Sequence, residues 1–454
     1  MTPTSSATAS RRAGSTRTRS NSSTAPRPAV KSSATGKPRQ RPAQGSHSSS
    51  QSGPRNGIVA TVQQLPTSTV LLVTVSLLCI FGLVMVGSAS SVISISLYGT
   101  PWAILIREVI WMAVGILVLF LTIKFDYRKL RRLSPLFLLA TFGLLVLVLV
   151  PGIGLHAQGS SRWIGFGALQ LQPSELMKLA LTIFAADFIA RRLDAGSADR
   201  RIMGPLLLVT AAAGVLILAQ PDMGTAMVVG CIAMTMLFVS GVSIGPVLKL
   251  LAVLVGLAVV VAVASPYRRE RLLSFLDPTA HGSTSGYQVV QSLIGLGSGH
   301  LFGTGLGGGQ QKWGFLPNAH TDFIFSVIGE ELGFIGAAAV MLLLGVFVWF
   351  GIRAATRSTD RFGGLLAIGL VAWIASETLI NIGAVVGVLP VTGIPLPFIS
   401  FGGSSLVLTM AAAGILINIA RQEKAGRPLR ALSEPRRSGE RKVAHLTPVR
   451  GRGR

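Results

Sequence analysis

Between residues 67 and 420 the chain repeats one pattern. Apolar stretches of about 17–25 residues, the length a helix needs to cross the hydrocarbon core, alternate with short polar or glycine-rich breaks. The runs predict spans near 68–89, 103–123, 134–151, 173–190, 204–220, 223–241, 246–265, 323–351, 363–388 and 404–420. The expected fold is an all-α polytopic membrane protein with about ten transmembrane helices. One break is far longer than the others. Pro266–Asp322, between the seventh and eighth spans, mixes aromatic, glycine and charged residues, and its glycines crowd the stretch from Gly295 to Gly309. Long connections of mixed composition are commonly functional, and backbone rich in glycine can approach a ligand closely.

The two ends leave the pattern. Residues 1–66 are rich in Ser, Thr, Pro, Gly and Arg and contain no Asp or Glu, and residues 421–454 are again basic. Neither has enough large apolar side chains to offset its ordering entropy, so both are expected as disordered basic tails around one membrane domain, 67–420.

Composition narrows the class. Half of the residues are hydrophobic and 13% are charged, which suits a lipid-facing bundle and not a set of soluble domains. The net charge of +24 sits mainly in the tails and short loops. No stacking aromatics are interleaved with it, so a membrane lipid surface is the expected partner and nucleic acid is not. Cys79 and Cys231 lie inside apolar runs, which speaks against a disulfide framework or a metal site. The first apolar run begins too deep in the chain for a cleavable signal peptide and reads as a span. The breaks at 124–133, 191–203 and 352–362 are rich in Lys and Arg. The positive-inside rule puts them, the break at 242–245 and both tails in the cytoplasm, and Pro266–Asp322 outside.

Ionisable groups inside spans are expensive, so each is a candidate site. Glu175 and Lys178 open the fourth span behind Pro173, and their i, i+3 spacing places them on one face; they are a structural ion pair or part of a site. Gln220-Pro221-Asp222 reads as a tight turn with Asp222 as an N-cap. Tyr267-Arg268-Arg269-Glu270-Arg271 is cationic on the outer side, against the general trend. It suits a pyrophosphate or an interfacial helix end. Asp322, in His320-Thr321-Asp322-Phe323, stands where water meets hydrocarbon and is either a helix N-cap or a carboxylate tuned for general-base work. Glu330, Glu331, Glu377 and Asn381 are further polar groups in or near spans. His320 with Lys312 gives no metal-ligand spacing. Leu389–Ser405 is apolar yet holds three prolines and three glycines. Irregular backbone at membrane depth must line a cavity or be buried in protein, which predicts a re-entrant loop.

Taken in order, these segments resemble the SEDS family, whose members include FtsW, RodA and SpoVE. The matching pieces are Arg162-Trp163-Ile164, Gln172 to Leu176 with Lys178, Gln220 to Thr225, Arg271 to Pro278, Gly286-Tyr287-Gln288, Gly303 to Gly307 with Gln311-Lys312, Leu316-Pro317 with Ala319 to Phe325, Gly329 to Gly333 and Leu389 to Ser405. They cover the membrane region and leave the tails unmatched. The Gly303 to Lys312 stretch is most similar to the cell-division branch. Asn318 stands where many relatives have Glu, and Glu377 where some have Gln.

The resemblance implies a fold partly similar to GT-C glycosyltransferases and an inverting peptidoglycan glycosyltransferase. Such an enzyme polymerises lipid II, the undecaprenyl-pyrophosphate-linked disaccharide-pentapeptide, at the outer face of the cytoplasmic membrane at the division septum. It implies Asp322 as the catalytic carboxylate, with Glu175, Lys178, Arg162, Arg268, Arg271, Lys312 and His320 at the substrate. A divalent cation, Mg or Mn, is an expected cofactor for the pyrophosphate, with no protein metal ligands assigned. A class B penicillin-binding protein transpeptidase and divisome proteins are the expected partners. A lipid II flippase and a scaffold that recruits the transpeptidase are the rival readings.

Overall fold

The computed structural model describes residues 66–241, apart from 153, 158–159, 167–168 and 197–198, then positions 245, 248 and 256, then residues 285–423. Nearly all of both expected tails and of the seventh expected span, and the whole Arg268–Arg271 cluster, lie outside the described residues.

The described helices are α1 (Thr67–Tyr98), α2 (Ala103–Lys124), α3 (Leu130–Leu147), α4 (Pro173–Asp194), α5 (Asp199–Ala219), α6 (Met223–Val239), α7 (Ser285–Ser298), α8 (Ile324–Thr356), α9 (Arg361–Val385) and α10 (Ser404–Arg421). Seven helical segments among the described residues are long and apolar enough to cross a membrane, and α6 is a shorter apolar helix. Helix α4 carries Glu175, Lys178 and Asp187, all buried against neighbouring helices. Its charges are sheltered by protein and not by water, as charges at membrane depth require.

Local chemistry sets the ends of these helices. Gly99, at φ 71°, stops α1 in the left-handed conformation that glycine adopts without steric cost. Pro173 opens α4 at a position where a missing N–H is no loss. Asp222 caps α6 by accepting from the Thr225 amide at 3.1 Å, and Asp360 caps α9 through the Gly363 amide at 2.7 Å. The Asp222 cap is the one expected from sequence.

Helices α9 and α10 are buried along nearly their whole length, whereas α2 and α3 expose much of their apolar surface. The core therefore runs along α9 and α10, with α1, α2, α4, α6 and α8 packed around them. Close packing uses small residues, as in membrane bundles generally. A Cβ on Gly82 of α1 would fall 2.6 Å from the Ile399 Cα, so the glycine lets the 389–403 segment lie directly on α1.

Two features go beyond the sequence reading. Three short strands, β1 (Leu155–Ala157), β2 (Ser160–Phe166) and β3 (Leu169–Leu171), form an antiparallel sheet in the order β1-β2-β3 between α3 and α4. The expected outer segment carries α7, which packs on α8, so at least that part of it is ordered architecture.

Helix α8 is broken at Gly333, which sits at φ 68° and ψ −167°. The break frees backbone groups that a continuous helix would pair. The loop after α7 takes them up. Thr304 and Gly305 amides donate to the Glu330 and Glu331 carbonyls at 2.9 and 3.0 Å, and the Phe334 and Ile335 amides donate to His300 and Leu301 carbonyls at 2.9 and 3.3 Å. Every one of these groups is therefore satisfied, as buried backbone demands.

Candidate active site

Arginine-rich connections close one end of the bundle, and a cavity of ≈ 510 Å³ opens toward the other. Helices α2, α4 and α10 each run from the cavity to the basic end. Residues from α1, α2, the sheet, α4, the turn before α8 and the 389–403 segment line it together, among them Arg107, Arg162, Glu175, His320 and Asp322. As expected from its prolines and glycines, 389–403 is non-helical and forms one wall.

Asp322 is half-buried at the edge of the cavity. The cap position of α8 falls on Phe323, the residue after Asp322, and its side chain makes no cap bond. A tight turn presents Asp322. The Asn318 carbonyl accepts from the Thr321 and Phe323 amides at 3.1 and 3.3 Å, and Asn318 itself sits at φ 58°. Asn tolerates that left-handed backbone better than most residues, which accounts for an Asn at this place. The Asp322 peptide carbonyl accepts from Asn381 Nδ2 of α9 at 2.8 Å, and the same amide nitrogen donates to the Ile394 carbonyl at 2.7 Å. Gly393, at φ +75°, lies against the carboxylate: a Cβ there would stand 3.6 Å from Asp322 Oδ2.

The floor beneath is ionic. Lys178 Nζ bonds Glu175 Oε1 at 2.6 Å and also Glu377 Oε1, and its ammonium lies 5.1 Å from the centre of the Trp373 ring. All three ionisable side chains are at most 4% exposed. Two carboxylates share one ammonium, and the second oxygens of Glu175 and Glu377 have no hydrogen-bond partner. Glu175 lines the cavity. The expected Glu175–Lys178 pair is present, with Glu377 as its third member.

The side walls are held from the backbone outward. Arg162 Nε donates to the Gln220 carbonyl at 2.9 Å, and a terminal nitrogen donates to the Pro221 carbonyl. These contacts spend two donors of a five-donor group on positioning it at the cavity wall. Gln172 and Ser174 donate to Asp222 Oδ2 at 2.9 and 3.0 Å, which locks the Gln220–Asp222 turn onto the start of α4. Across the cavity Arg107 donates to the Tyr98 hydroxyl at 2.9 Å and stacks over its ring at 4.6 Å. Burial draws the His320 imidazole down to about 4, so at neutral pH it is an uncharged donor or acceptor.

Of the residues expected at the substrate, Arg162, Glu175, His320 and Asp322 meet at the cavity. Lys178 lies directly beneath. Lys312 is placed elsewhere, at 2.8 Å from Glu331 and 3.2 Å from Ser88 Oγ. Arg268 and Arg271 are outside the described residues. Sequence reasoning did not single out Arg107 or Trp111, which line the wall, and it gave no role to Glu377 or Asn381. Polar residues at the start of an apolar run mark the first two; nothing local marks the partners of the others. Among the described residues no three His, Cys, Asp or Glu side chains come together to hold a metal ion.

Comparison with known proteins identifies the family. The family model FTSW_RODA_SPOVE, described as "Cell cycle protein", matches residues 68–425. Stage V sporulation protein E of Bacillus subtilis is 40% identical over 368 residues, 81% of this chain and 100% of its own. The protein named probable peptidoglycan glycosyltransferase FtsW of Coxiella burnetii is 41% identical over 356 residues, 77% of this chain and 95% of its own. Among solved structures, one described as structural coordination of polymerization and crosslinking by a peptidoglycan synthase complex aligns with TM-score 0.63 at 31% identity, covering 77% of this chain and 96% of that one. Thermus thermophilus rod shape determining protein RodA aligns with TM-score 0.57 at 29% identity, covering 78% and 96%. With this family model matched across the whole described membrane region, the chain belongs to the FtsW/RodA/SpoVE family of cell cycle proteins, the SEDS integral membrane proteins.

Proposed function

We propose that the chain is a peptidoglycan glycosyltransferase that polymerises lipid II at the outer face of the cytoplasmic membrane during septal wall synthesis. The observation that carries the reading is the meeting of Asp322, Glu175, Arg107 and Arg162 in one cavity: a carboxylate at the rim and cations on the walls. Asp322 takes the proton from a sugar hydroxyl of one substrate. The freed oxygen bonds to the anomeric carbon of the second from the face opposite its diphosphate. The anomeric carbon–oxygen bond breaks, its electron pair leaves with undecaprenyl pyrophosphate, and the configuration inverts. Arg107 and Arg162 suit the charge that develops on that leaving group, because guanidinium matches phosphate oxygens with paired donors. Mg or Mn stays part of the proposal only as an ion carried by the diphosphate.

The names of the relatives support glycosyl transfer and a division setting, and the arginine-rich end opposite the cavity supports an outward-facing site by the positive-inside rule. The same rule keeps both termini in the cytoplasm. A flippase needs a polar path through the bundle. The floor of this cavity is closed by the buried Lys178, Glu377 and Trp373, which favours the enzyme. The complex of polymerisation and crosslinking found among the structural relatives supports a class B penicillin-binding protein as partner, within the divisome. The deciding experiment is polymerisation of labelled lipid II by purified protein with its transpeptidase partner. Asp322→Asn is expected to abolish glycan chains while the protein still inserts and purifies. Normal chain formation by a well-folded Asp322→Asn protein overturns the reading.

A further inference from the structure

Trp373, Glu377 and Asn381 recur at every fourth residue of α9, so they lie on one face of the helix. That face is tied to both acidic residues of the cavity, to Glu175 through Lys178 and to Asp322 through its backbone carbonyl. Lower down, Trp373 and Glu377 hold the ammonium of Lys178, which in turn holds Glu175. One turn higher, Asn381 Nδ2 ties the Asp322 carbonyl to the Ile394 carbonyl, at 2.8 and 2.7 Å. Asn381 is buried and its Oδ1 has no hydrogen-bond partner. A side-chain amide at this depth that uses its nitrogen twice and leaves its oxygen unmatched carries a desolvation penalty. An apolar residue would avoid that penalty but could not bridge two carbonyls.

We infer that Glu377 and Asn381 are positioning residues, two stations on one rigid helix that fix the placement of Glu175 relative to Asp322. A helix rises about 1.5 Å per residue, so stations four residues apart stand roughly 6 Å apart along the axis. The backbone of α9 thus sets that spacing. Neither residue reaches the cavity surface. Their effect on catalysis runs through the residues they hold.

This inference rests on the glycosyltransferase reading, so the experiment measures both. Wild type, Asp322→Asn, Asn381→Ala and Glu377→Gln are purified with the transpeptidase partner. Lipid II polymerisation gives kcat and KM, and thermal unfolding in detergent gives a melting midpoint. A displacement of about 1 Å at a reacting group can cost on the order of 10²-fold in rate. Asn381→Ala is expected to lower kcat roughly tenfold or more, with KM within about twofold of wild type. Glu377→Gln keeps the size of the side chain and a bond to Lys178, so its folding is not threatened. It is expected to lower kcat by roughly fivefold at unchanged KM and unchanged melting midpoint. A purely packing role would lower the midpoint and leave kcat per folded molecule alone. Wild-type kcat in either well-folded variant overturns the inference while inactive Asp322→Asn leaves the reaction assignment standing. Should Asn381→Ala fail to fold, Glu377→Gln decides. Full activity of Asp322→Asn removes the reaction assignment and this inference with it.

Discussion

Two buried lysine–glutamate clusters lie among the described residues, and they differ in how completely they are paired. In one, Lys312 meets Glu331 at 2.8 Å while Ser88 Oγ donates to both Glu331 oxygens at 2.8 and 2.7 Å. The neighbouring Glu330 accepts from the Gln310 amide at 2.7 Å and from the Gln311 amide at 3.3 Å. Each carboxylate oxygen there is used. In the other, Lys178 serves Glu175 and Glu377 together, and one oxygen of each carboxylate is left over. The first cluster closes the glycine-rich loop onto α8 and has nothing more to offer. The second leaves carboxyl oxygens unpaired beside a cavity. Buried ion pairs are weak evidence for stability on their own. Completeness of pairing separates the clamp from the site more sharply than the presence of charge does.

The comparison can be broken by mutation, and the largest effect belongs to the clamp. Glu331→Ala leaves the Lys312 ammonium buried without its counter-ion, which costs about 3–5 kcal/mol. The expected result is a low melting midpoint in detergent and poor recovery of folded protein. A Glu331→Ala protein as stable as wild type would show that the clamp is not structural.

The next effect lies on the floor of the cavity. Glu175→Gln keeps an oxygen for Lys178 and removes the acidic group. Lipid II polymerisation should fall roughly tenfold or more, the scale of a lost acid–base or electrostatic contribution, with the melting midpoint close to wild type. The opposite pattern, lost stability with intact turnover, would move Glu175 into the class of the clamp.

The smallest effect concerns His320. Burial holds its imidazole near 4, below the roughly 6.5 of the unfolded chain. Between those values the unfolded chain binds the proton and the folded chain does not, so stability falls as pH drops through the window. Above the window the residue contributes no slope. Melting midpoints from pH 4 to 8 should show this slope in wild type and a shallower one in His320→Gln. Identical profiles would show that the imidazole titrates normally.

Hydropathy and breaker residues made most of this fold legible, because a helix that crosses lipid must be long and apolar. The misses have physical causes. The first expected span ended at residue 89, while α1 continues to Tyr98. Its last turns are rich in serine, and Ser91 and Ser96 donate to carbonyls three residues back at 2.9 Å. That internal pairing hides their polarity from lipid but not from a hydropathy window. The strands β1 and β3 are three residues each, too short to leave a period. At the site, Asp322, Glu175 and Arg162 came from motifs, whereas the roles of Glu377 and Asn381 had no local sign. Their partners lie 199 residues away at Lys178 and 59 residues away at Asp322. Only the folded chain brings them together.

The break in α8 also bears on how the protein meets bilayers of different thickness. At about 1.5 Å per residue, 33 residues of unbroken helix would make a rod of roughly 50 Å. Tilting it by about 10° to suit a thinner bilayer would swing its far end by roughly 8 Å. Asp322 stands just beyond that end. With the rod cut at Gly333, the outer piece from Ile324 is only about 14 Å long, and its backbone is bonded to residues 300–305. Residues 300–305 also bond the Phe334 and Ile335 amides of the longer piece, so the seat of the carboxylate is built from the protein around the cut and not from the end of one long rod.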